Sequence, residues 1–381
     1  MNTRAMFAAA TLSIAATALA NEEPARPAQI EVCFVLDTTG SMGGLIEGAK
    51  AKIWAIANQM IAAKPTPKLK IALIGYRDRS DEYVTRPFDL SEDIDAVYAN
   101  LKAFAAGGGG DGPESVNQAL HEAVNRIHWS PDKNVLKIVF LVGDFPPHMD
   151  YPDDVKYQQT CQAAVKADLI INTIQCGTEA TATPAWQEIA RLAEGRYVAI
   201  GQTGDVQIIA TPMDEELARL NVEIGRTIVP YGAAERRAGV MQKQAVAEAA
   251  SPAAAADRLA YNRETETVVQ GGGDLVDDLK AGRADLSKVD KKDLPPDMRE
   301  LSAEKQREFV NNQAEQRGRL QTRIAELLKQ RQAHIDAETR KLAEAGKGNG
   351  FDVQVGQIIR EQAQRKGIVY ADTPGTQPAG R

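Results

Sequence analysis

The chain reads as an α/β protein: a doubly wound, mostly parallel sheet followed by a mainly α-helical C-terminal domain. Three observations predict this. Solid apolar runs at residues 30–36, 70–76, 136–143 and 169–175 alternate with segments of helical periodicity, the pattern of parallel strands covered on both faces. The first and third of these runs stop abruptly at Asp37 and Asp144, at the rim where open α/β sheets hold their ligands. From residue 302 to about 345 the chain is packed with Glu, Gln, Arg and Lys around a sparse apolar stripe, and Gly318 is its only breaker.

At 381 residues, with a net charge of −7 and 5% aromatic residues, the chain has room for two domains. The negative balance offers nothing to nucleic acid or to an anionic membrane. Residues 1–20 place Arg4 ahead of an Ala/Leu/Ile-rich run that ends in Ala18-Leu19-Ala20. This small-x-small pattern is that of a signal peptide cut after Ala20, and the expected location is periplasmic or secreted. No later segment is apolar for long enough to cross a bilayer as a helix. Cys33, Cys161 and Cys176 are an odd set and a poor disulfide framework. Cys33 suits a core strand, and the sequence leaves open whether Cys161 and Cys176 pair.

Taken in order, the first domain spans residues 29–229. After the opening strand, a helix over 45–62 carries Ile46, Ala49, Ile53, Ile56, Met60 and Ile61 on one face and stops before Pro65 and Pro67. A strand over 70–76 follows, then a short strand over 84–88 that Pro87 restricts to a sheet edge. Ser91 is the expected cap of a helix running to about 104. A glycine run, 107–110, leads into Asp111-Gly112-Pro113-Glu114-Ser115, and Pro113 suits the first turn of a helix reaching 127. The strand over 136–143 precedes a helix over 155–167, a strand over 169–175, a helix over 184–193, a strand over 197–200 and a helix over 212–229. Residues 230–258 are Ala-rich and read as a linker or an exposed helix. In the helical domain, 259–371, the segment 302–345 forms one long helix or two broken near Gly318. Arg317 and Arg331 interrupt the heptad that Val310 and Ile324 would define, so packing within its own domain is expected over a coiled coil. A closing helix falls over 351–370, and 372–381 form a disordered tail.

Asp37, Thr39 and Ser41 bring three oxygen donors to one tight loop, a set that suits a hard divalent cation such as Mg²⁺, with Ca²⁺ or Mn²⁺ as alternatives. Asp111 and Glu114 open a helix, and Asp144 ends a strand. Single residues of these kinds also serve as ordinary helix caps and turns. Their coincidence on three loops of one sheet edge predicts a single metal site.

On these residues the stretch 29–229 resembles a von Willebrand factor type A domain. The loop Asp37-Thr38-Thr39-Gly40-Ser41 is similar to the Asp-x-Ser/Thr-x-Ser loop of that family's metal-ion-dependent adhesion site, and Asp144 matches its third-loop Asp. Where many members have Gly-Gly-Gly-Thr on the second loop, Asp111-Gly112-Pro113-Glu114 is similar to the Asp-x-Pro-Glu loop of the integrin β-subunit version. His148 is similar to the same subtype. The resemblance implies Glu114 as a ligand of the central metal, with Asp111 behind it or beside an adjacent ion. Gly43-Gly44 stand where that subtype carries acids for a neighbouring ion, so one metal is expected. The family's open metal position implies recognition of another protein through an acidic side chain, without catalysis. The helical extension looks like those beside this domain in bacterial exported proteins.

Two other functions are weighed against this one. A Mg²⁺-dependent hydrolase would need a base and cationic groups, for which His148 and the rim segment Arg77-Asp78-Arg79 are the candidates. A turn-stabilising His and a salt-bridged loop are the expected roles instead. The run 107–110 lacks the following Gly-Lys-Ser/Thr of a phosphate-binding loop. The remaining alternative is a structural or assembly protein that acts through its helical domain.

Overall fold

The computed structural model describes residues 28–110, 112–345 and 350–370. The expected signal peptide, Asp111 and the expected tail lie outside the described residues. The sheet half runs β1 (Gln29–Asp37), α1 (Gly43–Ile61), β2 (Lys68–Tyr76), β3 (Thr85–Ser91), α2 (Ile94–Lys102), α3 (Val116–Asn125), β4 (Leu136–Gly143), α4 (Tyr157–Lys166), β5 (Ile170–Cys176), α5 (Thr183–Leu192) and β6 (Glu194–Ile200). The helical half follows with α6 (Asp214–Gly225), α7 (Ala234–Glu248), α8 (Pro252–Glu264), α9 (Leu275–Lys280), α10 (Pro296–Arg299), α11 (Ala303–Glu344) and α12 (Phe351–Ala363).

The sheet order is β3-β2-β1-β4-β5-β6, parallel throughout except for the antiparallel edge strand β3, whose Pro87 lies opposite Ile74. Strand alternation sends Ile30, Val32, Phe34 and Leu36 to one face and Cys33 and Val35 to the other, and both sets are buried. Helices α3, α4 and α5 cover the Cys33 face; α1 and α2 cover the Phe34 face. The three cysteines are buried and free, which answers the open question of Cys161 and Cys176.

Helix starts differ from the sequence reading where a neighbour holds the chain extended. Asp93, not Ser91, caps α2 through a bond from Ala96 N; Ser91 ends β3 and its hydroxyl accepts from Asp93 N. Helix α3 begins at Val116 rather than at Pro113, because Glu114 is drawn into a strand-like bridge with Pro147.

The domain boundaries differ as well. Where a linker or exposed helix is expected over 230–258, α7 and α8 pack down, with Ala254, Ala255 and Ala256 buried. Small side chains let α8 lie close along α1, and Asn58 Nδ2 donates to Asp257 O at 2.8 Å between them. Helix α6, expected to close the sheet domain, buries Leu217, Leu220 and Ile224 against α8 and α11. The closing helix α12 crosses back in the other direction. Its Phe351, Val355, Ile358 and Ile359 join the core on the Phe34 face, and Gln362 exchanges two amide bonds with Asn172 of β5.

Helix α11 is continuous through Gly318 for 42 residues, about 60 Å. The arginines that break its heptad are buried ion pairs, Arg317 with Asp274 and Asp277, Arg331 with Asp214 and Asp257. The two halves meet through a third such cluster. Arg258 of α8, fully buried, bonds Asp95 of α2 with two nitrogens at 2.8 and 2.7 Å and reaches Asn221, Gln244 and Val268 O.

Removing one member of a fully buried, bidentate pair leaves the other charge uncompensated. Arg258→Ala is therefore expected to destabilise the protein by about 3–5 kcal/mol in urea denaturation. A loss below about 1 kcal/mol, the range of exposed pairs, would show that the contact does not hold the halves together.

Candidate metal centre

Three loops meet at the C-terminal edge of β1 and β4, the point where the strand order reverses and a crevice must open. Asp37 ends β1 fully buried, and its Oδ1 accepts from Thr39 N at 2.8 Å and from Thr39 Oγ1 at 2.6 Å. These bonds fold the loop back over the strand end, leaving Ser41 Oγ 3.4 Å from Thr39 Oγ1. Ser41 is exposed and marks the open side. Asp144 follows β4 directly. Glu114 is tied to the same loop, donating its backbone N to Pro146 O and accepting His148 N at its own carbonyl, both at 3.0 Å.

The structure thus brings Asp37, Thr39, Ser41, Glu114 and Asp144 to one sheet edge, as the sequence predicts; Asp111 lies outside the described residues. Asp37 Oδ2, Glu114 Oε2 and Asp144 Oδ1 are each buried without a hydrogen-bond partner. The helical half treats its buried acids differently: Asp214, Asp274 and Asp277 each face an arginine, as Asp95 does at the junction. Among the described residues no lysine or arginine pairs with the three site acids. A buried carboxylate oxygen with no donor is costly, and a cation is the partner that fits it.

Among the described residues no three Asp, Glu, His or Cys side chains converge tightly enough to hold an ion unaided. The acids would share a cation with the Thr39 and Ser41 hydroxyls and with water, an all-oxygen set of the kind Mg²⁺ and Ca²⁺ take. Without a cation, burial and neighbouring negative charge raise the proton affinity of Asp37 and Glu114. Burial first, then the Asp144 charge, pushes Asp37 up to about 7. Burial and the charges of Asp37, Asp78, Asp81 and Asp144 push Glu114 up to about 9.

The rim residues are struts. Arg77 is buried, with Nε on Thr38 O at 3.1 Å and Nη2 on Ala105 O at 2.7 Å, so it joins loops rather than facing a ligand. Asp78 accepts from Ser115 Oγ at 2.8 Å and Tyr151 Oη at 2.7 Å. His148 stacks on Tyr151, lies 2.8 Å from Asp150 through Nδ1 and 3.6 Å from Asp78 through Nε2. Arg79 pairs with Asp153 and Asp154. The sequence reading missed two members. Asp81 accepts Gly109 N and holds the glycine run, where Gly108 has φ +76° and a Cβ would stand 2.1 Å from the Asp81 carboxylate. Gln202, on the loop after β6, donates to Asp144 Oδ2 at 2.7 Å. An acid shortly after a strand end was a usable signal for Asp81; nothing local marks Gln202.

Residues 31–202 match the family model described as von Willebrand factor A domain, and this stretch is a domain of that kind. A protein of Acanthamoeba polyphaga mimivirus, named for an ariadne-like RING finger, is 25% identical over 152 residues, 40% of this chain and 14% of that protein. The chain thus spans a small part of the length of the curated relative it matches. Proximal thread matrix protein 1 from the mussel byssus, in a structure described as having a zinc-occupied MIDAS motif, aligns at 16% identity over 45% of this chain and 42% of its own, with a TM-score of 0.36. The SpRpn10 VWA domain aligns at 15% identity over 48% of this chain and 100% of its own, with a TM-score of 0.36.

Asp37 and Glu114 hold protons more tightly folded than unfolded, where carboxyls titrate near 4. The cation-free fold therefore loses stability from these groups as pH rises from about 4 through about 7 and about 9. A bound cation displaces those protons and reverses the loss. The rise in Tm on replacing EDTA with millimolar Mg²⁺ is expected to be larger at pH 8 than at pH 5. An equal rise at both, measured by scanning calorimetry, would detach these carboxyls from cation binding.

Proposed function

We propose that the sheet half is a Mg²⁺-dependent recognition module that binds another protein through an acidic side chain. The observation that carries this reading is the set of three buried carboxylate oxygens without partners, beside two hydroxyls, at an edge open at Ser41. Five protein donors leave an octahedral ion at least one position short, and a carboxylate is the natural sixth ligand. The cation makes that acid welcome on a protein of net charge −7. Ca²⁺ or Mn²⁺ would suit the same oxygens.

The role proposed is not enzymatic. The groups that a hydrolase would need, His148 and Arg77, are engaged in holding loops. Assembly through the long helix is a weaker reading, because its buried residues Ile324, Leu327 and Leu328 share a core with α6 and α8. The N-terminal pattern supports export to the periplasm or beyond. No described helix is long and apolar enough to cross a membrane.

Calorimetric titration of the full chain with Mg²⁺ tests the site. Asp37→Ala is expected to abolish binding and Glu114→Ala to weaken it about tenfold or more. Displayed random peptides, captured in Mg²⁺ and released by EDTA, test recognition. The recovered sequences are expected to share an Asp or Glu whose change to Asn or Gln ends capture; peptides without a common acid would overturn the carboxylate reading.

A further inference from the structure

We propose that Gln202 is a positioning residue of the cation site, a neutral amide that turns Asp144 so that one of its oxygens faces the ion. This rests on the cation-site reading above. Gln202 Nε2 donates to Asp144 Oδ2 at 2.7 Å, and the other oxygen, Oδ1, is the buried one without a partner. The same nitrogen lies 3.5 Å from Ser41 O and 3.9 Å from Met42 Sδ, so the amide spans from the third metal loop to the first.

The other end of the amide passes close over a glycine. Its Oε1 lies over Gly177, the residue after β5, which has φ +77° and where a Cβ would stand 2.1 Å from that oxygen. The loop itself is pinned at several points. Gly201 N bonds Asp205 Oδ2 at 2.7 Å, Gly204 N bonds Gly201 O at 2.8 Å, and Thr203 packs on Gly44 at the start of α1. Gly204 O also accepts from Phe351 N at 2.8 Å, so the first residue of α12 fastens the loop from the far end of the chain.

An amide is the right chemistry for this post. It supplies one directional donor and so fixes the carboxylate, yet it brings no positive charge to compete with a cation. A lysine or arginine there would satisfy Asp144 by pairing with it.

The test is Mg²⁺ titration by calorimetry on the full chain and its variants, with the electron paramagnetic resonance spectrum of bound Mn²⁺ as a second readout. Gln202→Ala is expected to weaken Mg²⁺ about tenfold and to alter the Mn²⁺ line shape. Gln202→Glu keeps the length but puts an acceptor where Asp144 needs a donor, and is expected to weaken binding at least as much. Gly177→Ala, which displaces Oε1, should move the same way, whereas the exposed neighbour Gln207→Ala should bind like the wild type. Melting of the cation-free variants separates a lost fold from a lost ligand, and Gln202→Glu carries the test if Gln202→Ala does not fold. Binding by Gln202→Glu equal to or tighter than wild type would overturn the role of Gln202 and leave the cation site standing. Failure of the wild type to bind either ion would overturn both.

Discussion

A parallel sheet has no face it can leave in water, and most of this molecule follows from roofing both faces. Strands β1 and β4 are buried along nearly their whole length, including Phe34 and Phe140, whose rings stack at 5.5 Å. Covering them takes helices from within the sheet half and also α12, about 150 residues further on, whose Phe351 ring comes within 6.1 Å of Phe34. Asn172, the polar residue that β5 points into that face, is tolerated because Gln362 arrives to match both of its amide groups. The helical half is thus built into the sheet's burial rather than tethered beside it.

The molecule handles its buried acids in two ways. In the helical half and at the junction, Asp95, Asp214, Asp274 and Asp277 are taken out of water together with an arginine, and each pair fixes how two helices meet. At the sheet edge Asp37, Glu114 and Asp144 are taken out of water and, among the described residues, pair with no arginine; they are held instead by loops that leave one oxygen of each without a hydrogen-bond partner. Around them Arg77 and Asp81 act on loop backbone, the His148 backbone N donates to Glu114 O while its ring packs on Tyr151 beside Asp150, and Gln202 takes the second oxygen of Asp144. Rigid loops with unsatisfied oxygens are what a preorganised cation site requires.

The strands and the sheet-edge positions of Asp37, Glu114 and Asp144 were legible because they obey local rules. An unbroken apolar run that stops at an Asp is visible in a handful of residues, and Pro87 marks an edge strand by chemistry alone. The helix start at Val116 was not legible, because Glu114 is kept out of helix by Pro147, a residue distant in the chain. Nor was the packing of residues 230–258. Alanine is equally at home in a linker and in a close helix contact, and only the presence of α1 decides between them. Arg317 and Arg331 look like interruptions of a stripe until the acids of α6, α8 and α9 are placed opposite them.

By itself the sequence determined the sheet, the helical extension and the three loops that carry Asp37, Glu114 and Asp144, because periodicity and chain-local turn chemistry dictate these. Tertiary structure alone decided which acids receive a counter-charge, where the two halves join, and that α12 belongs to the sheet. It also decided that an amide from the loop after β6 caps Asp144. These outcomes depend on groups tens to hundreds of residues apart. Their pairing energy appears only when folding removes water from both partners at once.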